Sequence, residues 1–153
     1  MTEQQTASPP QTHCRDGYTI STDVSRLDID FIHISLTTQT YWAQNRPLDV
    51  MQKAVQNSLN FGLYYDGKQV GYARVVTDYA TFAWLCDVFV AADHRQKALG
   101  KWMVDCVTKH PDLKHIRRIL LATRDAHELY RKYGGFEPLS HVERWMERFN
   151  PNT

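Results

Sequence analysis

The chain has 153 residues, of which 42% are hydrophobic and 23% are charged, and this composition predicts a globular protein with one sizeable core. Its formal net charge of +1 creates no overall field that would attract nucleic acid or an anionic membrane. No apolar run approaches the roughly 20 residues of a membrane-spanning helix and no apolar secretory signal is visible, so we expect a cytoplasmic protein with neither nucleic acid nor membrane as a partner.

The first sixty residues predict a tail, a strand and two helices. Residues 1–16 are polar and lack any hydrophobic period, so we expect a flexible N-terminal tail before a single domain at residues 17–153. A short strand is predicted at Tyr18–Ser21. The two helices are predicted to begin near Asp28 and Asp49, because an acidic side chain stabilises the first turn of a helix.

The middle of the chain reads as antiparallel strands. Residues 61–65 and 69–76 are rich in strand-forming side chains and flank the dipeptide Asp66-Gly67, which is typical of a hairpin turn. A longer strand is predicted at residues 81–90, where aromatic side chains favour extended backbone.

A well-patterned helix follows this strand. Its apolar residues recur at the spacing that places them on one helical face, and they are Leu99, Trp102, Met103, Cys106 and Val107. The dipeptide His110-Pro111 is expected to end the helix, because proline cannot continue it.

The C-terminal part predicts a strand, a short helix and two final strands. The apolar run at residues 116–122 is expected to form a strand that is buried on both faces. Asp125 is expected to cap a helix at residues 126–133, and the final strands are expected at residues 136–139 and 142–149. This order predicts an α/β fold of the α+β kind, with a mixed sheet and helices on its faces.

Cysteine and histidine spacing gives no sign of a metal site. Cys14, Cys86 and Cys106 are far apart, and no mixed spacing with the scattered histidines suggests zinc. We therefore expect no bound metal.

The turn between the strand ending at Val90 and the next helix predicts an anion site. A strand-to-helix turn exposes backbone N–H groups, and the positive end of the helix dipole lies at the same place. Three cationic side chains add positive potential there: Arg95, Lys97 and Lys101. The turn could therefore hold a phosphate or pyrophosphate, or it could be an ordinary basic helix start on a solvated surface.

Two segments of the chain match known sequence motifs. Residues 94–100 look like the pattern [Q/R]-x-x-G-x-[G/A], with Arg95 in the first position, Gly100 in the last and Ala98 in place of the middle glycine. Residues 126–136 are similar to the pattern A-x-x-L-Y-x-K-x-G-F, with one additional glycine. The two segments occur in the expected order, separated by one helix and one strand. Together they make the chain resemble the GNAT superfamily of N-acetyltransferases.

The resemblance implies a GNAT-like fold and acetyl-CoA as co-substrate. In this fold the mostly antiparallel sheet is flanked by about four helices, and two neighbouring strands splay apart to form the acyl-CoA cleft. The diphosphate would rest on the turn, and the pantetheine arm would pair with the strand before it. The residues implied to bind the cofactor are Val88, Phe89, Val90, Arg95, Gln96, Lys97, Ala98, Leu99, Gly100 and Lys101.

The resemblance also implies a catalytic tyrosine. Tyr130 matches the tyrosine that protonates the departing CoA thiolate in this family. A phenol, with a pKa of about 10, stays protonated at neutral pH and can donate to a developing thiolate. The alternative is that Tyr130 packs its helix against the sheet.

Asp87 is the candidate for a second catalytic role. Residues 85–90 look like the strand L-E-D-x-[F/Y]-V of polyamine-type members, with Cys86 in place of the glutamate. Asp87 could take a proton from the amine, directly or through a water molecule, or it could hold a cationic substrate. It could equally form a structural ion pair with Arg74.

Acceptor recognition is assigned to aromatic and basic side chains. Tyr41 and Trp42, with Arg46 nearby, lie in the segment that often forms one wall of the acceptor cleft in this family. They could line a pocket or stack on an amine, or they could anchor the segment to the core. Arg74 is a further candidate for binding the acceptor.

The leading hypothesis is an acetyl-CoA-dependent N-acetyltransferase that acts on a primary amine of a small molecule or peptide by direct attack. The alternative is a catalytically weak acyl-CoA-binding sensor or interaction module, which Cys86 and Ala98 favour because both depart from the family pattern. The sequence leaves open a homodimer through the final strands.

Overall fold

The computed structural model describes residues 7–151. The strands in this range are β1 (Thr12–Arg15), β2 (Tyr18–Ser21), β3 (Leu59–Tyr65), β4 (Lys68–Thr77), β5 (Phe82–Val90) and β6 (Arg118–Leu120). Its α-helices are α1 (Ile29–Gln39), α2 (Leu48–Gln56), α3 (Leu99–Thr108) and α4 (His127–Gly134). Short 3-10 turns lie at Val24–Arg26, Ala92–His94 and Val142–Arg144.

The strands form a mixed, mostly antiparallel sheet in the order β1-β2-β3-β4-β5-β6, and only β5 and β6 are parallel. The predicted turn at Asp66-Gly67 joins β3 to β4, with both residues at positive φ as a tight hairpin requires. Pairing of β5 with β6 extends only from Phe82 to Trp84, and the two strands then part. The predicted fold class, with its splayed strand pair and about four helices, is confirmed.

A bulge bends β5 at the point where it leaves β6. Asp87 has a φ of 52°, in the left-handed region, and the register between β4 and β5 shifts there. Such a bulge reverses which side chains face each side of the sheet. Leu85 before the bulge and Val88 after it therefore both pack toward α3, while Phe89 packs toward α1 and α2.

Helices cover both faces of the sheet. The predicted apolar stripe of α3 is confirmed, with Leu99, Met103, Cys106 and Val107 buried in the core on one face. On the other face, α1 and α2 contribute a second core made of Ile32, Leu36, Met51 and Val55. The longest helix, α1, has 11 residues, and no helix in residues 7–151 is long and apolar enough to cross a membrane.

The prediction of a flexible tail over residues 1–16 is wrong for the part that the structure describes, while residues 1–6 lie outside it. Thr12–Arg15 forms β1 and pairs with β2, whose outer backbone groups would otherwise lack partners. Ser8 is also held, because its N–H and its hydroxyl both donate to the Asp112 carboxylate, at 3.0 and 2.5 Å.

The strand predicted at residues 116–122 is shorter than expected. Only Arg118–Leu120 is extended, and Ile119 and Leu120 are half-buried rather than covered on both faces. The reason is that β6 pairs with β5 alone in the described part of the chain, so it lies at an edge of the sheet.

The two strands predicted at the C-terminus are also wrong. Residues 136–139 and 142–149 contain no strand, and the apolar residues Met146 and Phe149 are 96% and 76% exposed. Strand-forming side chains need a partner strand to satisfy the backbone. The three-residue β6 offers too short an edge for that pairing.

Replacing a buried side chain of α3 tests the core. Met103 is 0% exposed, so Met103→Ala should lower the free energy of unfolding by about 2–5 kcal/mol through lost contacts and a cavity. Ile34→Ala, at a position that is 58% exposed, should change it by less than about 0.5 kcal/mol. Urea unfolding measures both values, and equal losses would contradict the placement of α3.

Candidate active site

A cavity of about 530 Å³ lies between β5, the start of α3 and α4. All ten residues that the sequence assigned to cofactor binding line it, together with Tyr130. The remaining lining residues are His94, Ala126 and Leu129. The structure therefore brings together the two motifs, which are about thirty residues apart in sequence.

The turn before α3 presents a run of free backbone donors. Within residues 7–151, the N–H groups from Gln96 to Lys101 have no protein acceptor, and the first helical bond runs from the Trp102 N–H to the Ala98 carbonyl at 3.1 Å. Both Gln96 and Ala98 have left-handed backbone, with φ of 65° and 58°. Such alternation turns neighbouring N–H groups into one concave anion site. Ala98 thus adopts the conformation for which the motif uses glycine.

Cationic side chains surround this run of donors. The Arg95 Nε donates to the Val90 carbonyl at 2.9 Å and so ties the turn to the end of β5. The Lys97 ammonium lies 3.4 Å from the Tyr18 hydroxyl, and the Lys101 ammonium lies 4.9 Å from the centre of the Tyr133 ring. Their charges add to the positive end of the α3 dipole.

The hairpin of β1 and β2 supports the turn from outside. Arg15 donates from Nη2 to the Ala98 carbonyl at 3.3 Å, and its guanidinium lies 4.6 Å from the centre of the Trp102 ring. The Tyr18 hydroxyl and His94 Nδ1 are hydrogen-bonded at 2.8 Å. Sequence reasoning missed this support because residues 1–16 were expected to be a tail.

Tyr130 reaches the cavity from α4. Its hydroxyl has no hydrogen-bond partner in residues 7–151, and it is not among the buried unpartnered polar atoms, so the hydroxyl is not sealed from solvent. Burial raises the pKa of Tyr130 to about 12, and the negative charge of Asp125 adds to the effect. The phenol therefore stays protonated throughout the neutral range.

Helix α4 does not begin with the N-cap that the sequence predicted. Its N-cap is Ala126 rather than Asp125, and the Thr123 hydroxyl accepts the Ala126 N–H at 3.1 Å. At the C-terminus Gly135 adopts a φ of 68° and caps the helix. The additional glycine, Gly134, lies where a Cβ would come within 2.8 Å of Val104, so it lets α4 pack closely on α3.

Asp87 lies on the other side of β5, paired with two arginines. Its Oδ2 accepts from Arg46 Nη1 at 2.7 Å and from Arg74 Nε at 2.8 Å, while its Oδ1 accepts from Trp42 Nε1 at 3.1 Å. The pairing with Arg74 that the sequence offered as an alternative is confirmed. Both carboxylate oxygens are occupied, and the side chain is only 1% exposed.

Charge pairing decides the ionisation of Asp87. Burial alone would raise its pKa, but the hydrogen bond from Arg46 and the charges of Arg74 and Arg46 outweigh burial and lower the pKa. The neighbouring Cys86 behaves differently, because burial raises the pKa of its thiol to about 11. Asp87 is therefore a firmly ionised carboxylate, and Cys86 is an unreactive thiol at neutral pH.

The aromatic residues predicted to contact an acceptor lie next to this cluster. Tyr41 and Trp42 are in edge-to-face contact, with ring centres 5.0 Å apart. The Arg124 guanidinium lies 3.9 Å from the centre of the Tyr41 ring. Both aromatic side chains are exposed, so they present a surface rather than anchor a core.

The ion pair between Arg46 and Asp87 was not predicted from the sequence. A buried aspartate on a strand signals that a cationic partner is needed, and Arg74 alone was considered for that role. Nothing local marks Arg46, because it is 41 residues away from Asp87 in sequence. Among residues 7–151 no group of three His, Cys, Asp or Glu side chains could hold a metal ion.

Comparisons with known proteins agree with this geometry. A family model described as the acetyltransferase (GNAT) family matches residues 29–136. A curated relative from Gibberella zeae, provisionally named an acetyltransferase, is 30% identical over 148 residues and covers 84% of each chain.

Solved structures share the fold. A Xanthomonas campestris protein, provisionally named an acetyltransferase of the GNAT family, is 49% identical with a TM-score of 0.84, covering 88% of this chain and 94% of that chain. A provisionally assigned acetyltransferase from Clostridium acetobutylicum, solved with acetyl-CoA, is 14% identical with a TM-score of 0.62. The match covers 86% of this chain and 94% of that chain, and at this identity it shows a shared fold alone. Since the family model matches well over half of the chain's length, the chain belongs to the GNAT family of acetyltransferases.

Proposed function

We propose that the protein is an N-acetyltransferase that transfers an acetyl group from acetyl-CoA to a primary amine of a small molecule or peptide by direct attack. Its family supports acetyl transfer. The observation that carries the proposal is the run of N–H groups from Gln96 to Lys101, which has no protein acceptor in the described chain and opens on the cavity that holds Tyr130.

The cofactor residues fit an extended, anionic ligand. The diphosphate would accept from the N–H groups of residues 96–101, with Lys97 and Lys101 supplying opposite charge. The pantetheine arm would pair with residues 88–90 of β5, beyond the point where β6 stops pairing. The Val90 carbonyl already accepts from Arg95, and its second lone pair can serve the arm.

The chemical step needs one proton donor at the leaving group. The amine nitrogen forms a bond to the acetyl carbon, the carbon–sulfur bond breaks, and the Tyr130 hydroxyl gives its proton to the sulfur. The amine releases its own surplus proton to water, and water restores the proton of Tyr130. Because the pKa of Tyr130 is raised to about 12, the donor is protonated at the start of each turnover.

We propose that Asp87 positions the acceptor side rather than taking the proton of the amine. Both of its oxygens are already hydrogen-bonded, and its lowered pKa makes it a weak base. Asp87 instead holds Arg46, Arg74 and Trp42 in place. The acceptor amine then has to arrive unprotonated, so kcat/KM should rise with pH as the free ammonium group loses its proton.

Thiol release tests the function. The protein is incubated with acetyl-CoA and a panel of primary amines, and free CoA is measured with a thiol reagent; acceptor-dependent release is expected. Tight CoA binding in calorimetry without release for any amine would instead support an acyl-CoA-binding sensor, which the occupied Asp87 and the presence of Cys86 favour. Absence of heat with any CoA species contradicts both functions.

Tyr130→Phe isolates the proton donor. Removing the hydroxyl should lower kcat by about 10²-fold and leave the Kd for CoA unchanged. The ratio of wild-type to variant kcat should stay constant from about pH 6 to about pH 10, because Tyr130 is protonated throughout that range. Tyr79→Phe, on an exposed turn, is the control and should leave kcat unchanged. An undiminished kcat in Tyr130→Phe removes Tyr130 from the mechanism.

Two substitutions at Ala98 test the anion site. Ala98→Gly suits the left-handed backbone and should retain or slightly improve the Kd for CoA. Ala98→Val places a β-branched side chain at positive φ, and the strain of about 1–3 kcal/mol should raise that Kd about tenfold or more. Calorimetry measures both, with circular dichroism as the check on folding. Equal affinities for the two variants would contradict this site.

A further inference from the structure

The cluster around Asp87 has more positive than negative charge. Two guanidinium groups, Arg46 and Arg74, share a single carboxylate, which leaves a surplus of one positive charge. No other ion pair involves either arginine within residues 7–151.

The side of the cluster that solvent reaches is cationic. The Asp87 side chain is 1% exposed, whereas the Arg46 side chain is 21% exposed. In the described chain the Arg46 side chain donates only from Nη1, to Asp87 and to the Met51 sulfur, so its Nε and Nη2 have no protein acceptor. Arg74 uses Nε and Nη1, which leaves its Nη2 without an acceptor in the same range. Neither arginine has a buried side-chain nitrogen that lacks a hydrogen-bond partner, so the unused nitrogens are not fully buried.

A chain of contacts connects this surface to the proposed proton donor. Trp42 donates to Asp87 and touches Tyr41, and Tyr41 is close enough to Tyr130 to contribute to its raised pKa. Asp87 also directly precedes Val88, which lines the cofactor cavity. These contacts connect the free donors to the side of β5 where we propose that the acceptor binds.

We infer that the acceptor carries an anionic group, a carboxylate or a phosphate, near its amine, and that the free nitrogens of Arg46, assisted by Arg74, bind it. This inference rests on the proposed function. A guanidinium offers paired donors that match either anion, and it stays charged at every working pH. A polyamine would instead meet like charge at this surface, which disfavours the cationic substrate that one interpretation of Asp87 offered.

Matched acceptors test the inference on the unmodified protein. The panel pairs amino acids with their amides and O-phosphoethanolamine with ethanolamine, and it includes spermidine. Thiol release gives kcat/KM for each, expressed per fraction of unprotonated amine so that differing ammonium pKa values do not bias the comparison. The best anionic acceptor should exceed its uncharged counterpart by about tenfold or more, and the carboxylate and phosphate arms show which anion is used. Equal or better use of the amides, ethanolamine or spermidine overturns the inference.

The affinity for acetylated products tests this inference independently of turnover. N-acetyl amino acids, their amides and N-acetyl phosphoethanolamine are titrated into the CoA-bound protein by calorimetry. Tighter binding of the anionic products supports the inference even if no amine releases thiol, in which case the proposed function fails alone. Equal affinity for the anionic and the uncharged products overturns the inference, even if turnover occurs.

Arg46→Gln then assigns the residue. It should raise KM for anionic acceptors about 10- to 100-fold more than it raises KM for ethanolamine, because any loosening of the Asp87 pair affects both kinds of acceptor alike. Arg117→Gln is the matched control, because Arg117 is exposed and makes no ion pair within residues 7–151, and it should change none of these values. An equal rise of KM for charged and uncharged acceptors would show a merely structural role for Arg46.

Discussion

The buried carboxylate of Asp87, held by Arg46 and Arg74, fixes the bend of β5 on which the rest of the site depends. A left-handed backbone at a residue with a side chain costs roughly 1–2 kcal/mol. Charge-assisted hydrogen bonds from two guanidinium groups offset that cost, and removing one partner from a buried pair typically costs 3–5 kcal/mol. The bend is therefore a stable feature of the strand.

The bend also lets β5 contribute neighbouring residues to both of the binding surfaces that we propose. Without it, Leu85 and Val88 would point to opposite faces of the sheet, since side chains alternate along a strand. With it, Val88 lines the cavity between β5, α3 and α4, while Asp87 pairs with the two arginines on the other face. The donor and acceptor surfaces that we propose would thus be built from consecutive residues, and the thickness of one strand would set their separation.

The features that sequence predicted well are those with local causes. The turn at Asp66-Gly67 follows from two residues that tolerate positive φ, and the stripe of α3 follows from helical spacing. Contacts between residues far apart in the sequence have no such local signal. Arg46 and Asp87 are 41 residues apart, and Arg15 and Ala98 are 83 residues apart. The strands predicted near the C-terminus failed for a related reason, since strand propensity is realised only where a partner edge exists.

Arg15 links the outermost strand of the sheet to the carbonyl of Ala98 at the start of α3. A ligand that binds only the folded form stabilises every part of the chain that its site requires. Occupancy of the turn should therefore slow the exchange of backbone amide hydrogens in β1, although β1 contributes no atom to the cavity lining. The edge strand would thus report from a distance whether the nucleotide end of the proposed ligand is bound.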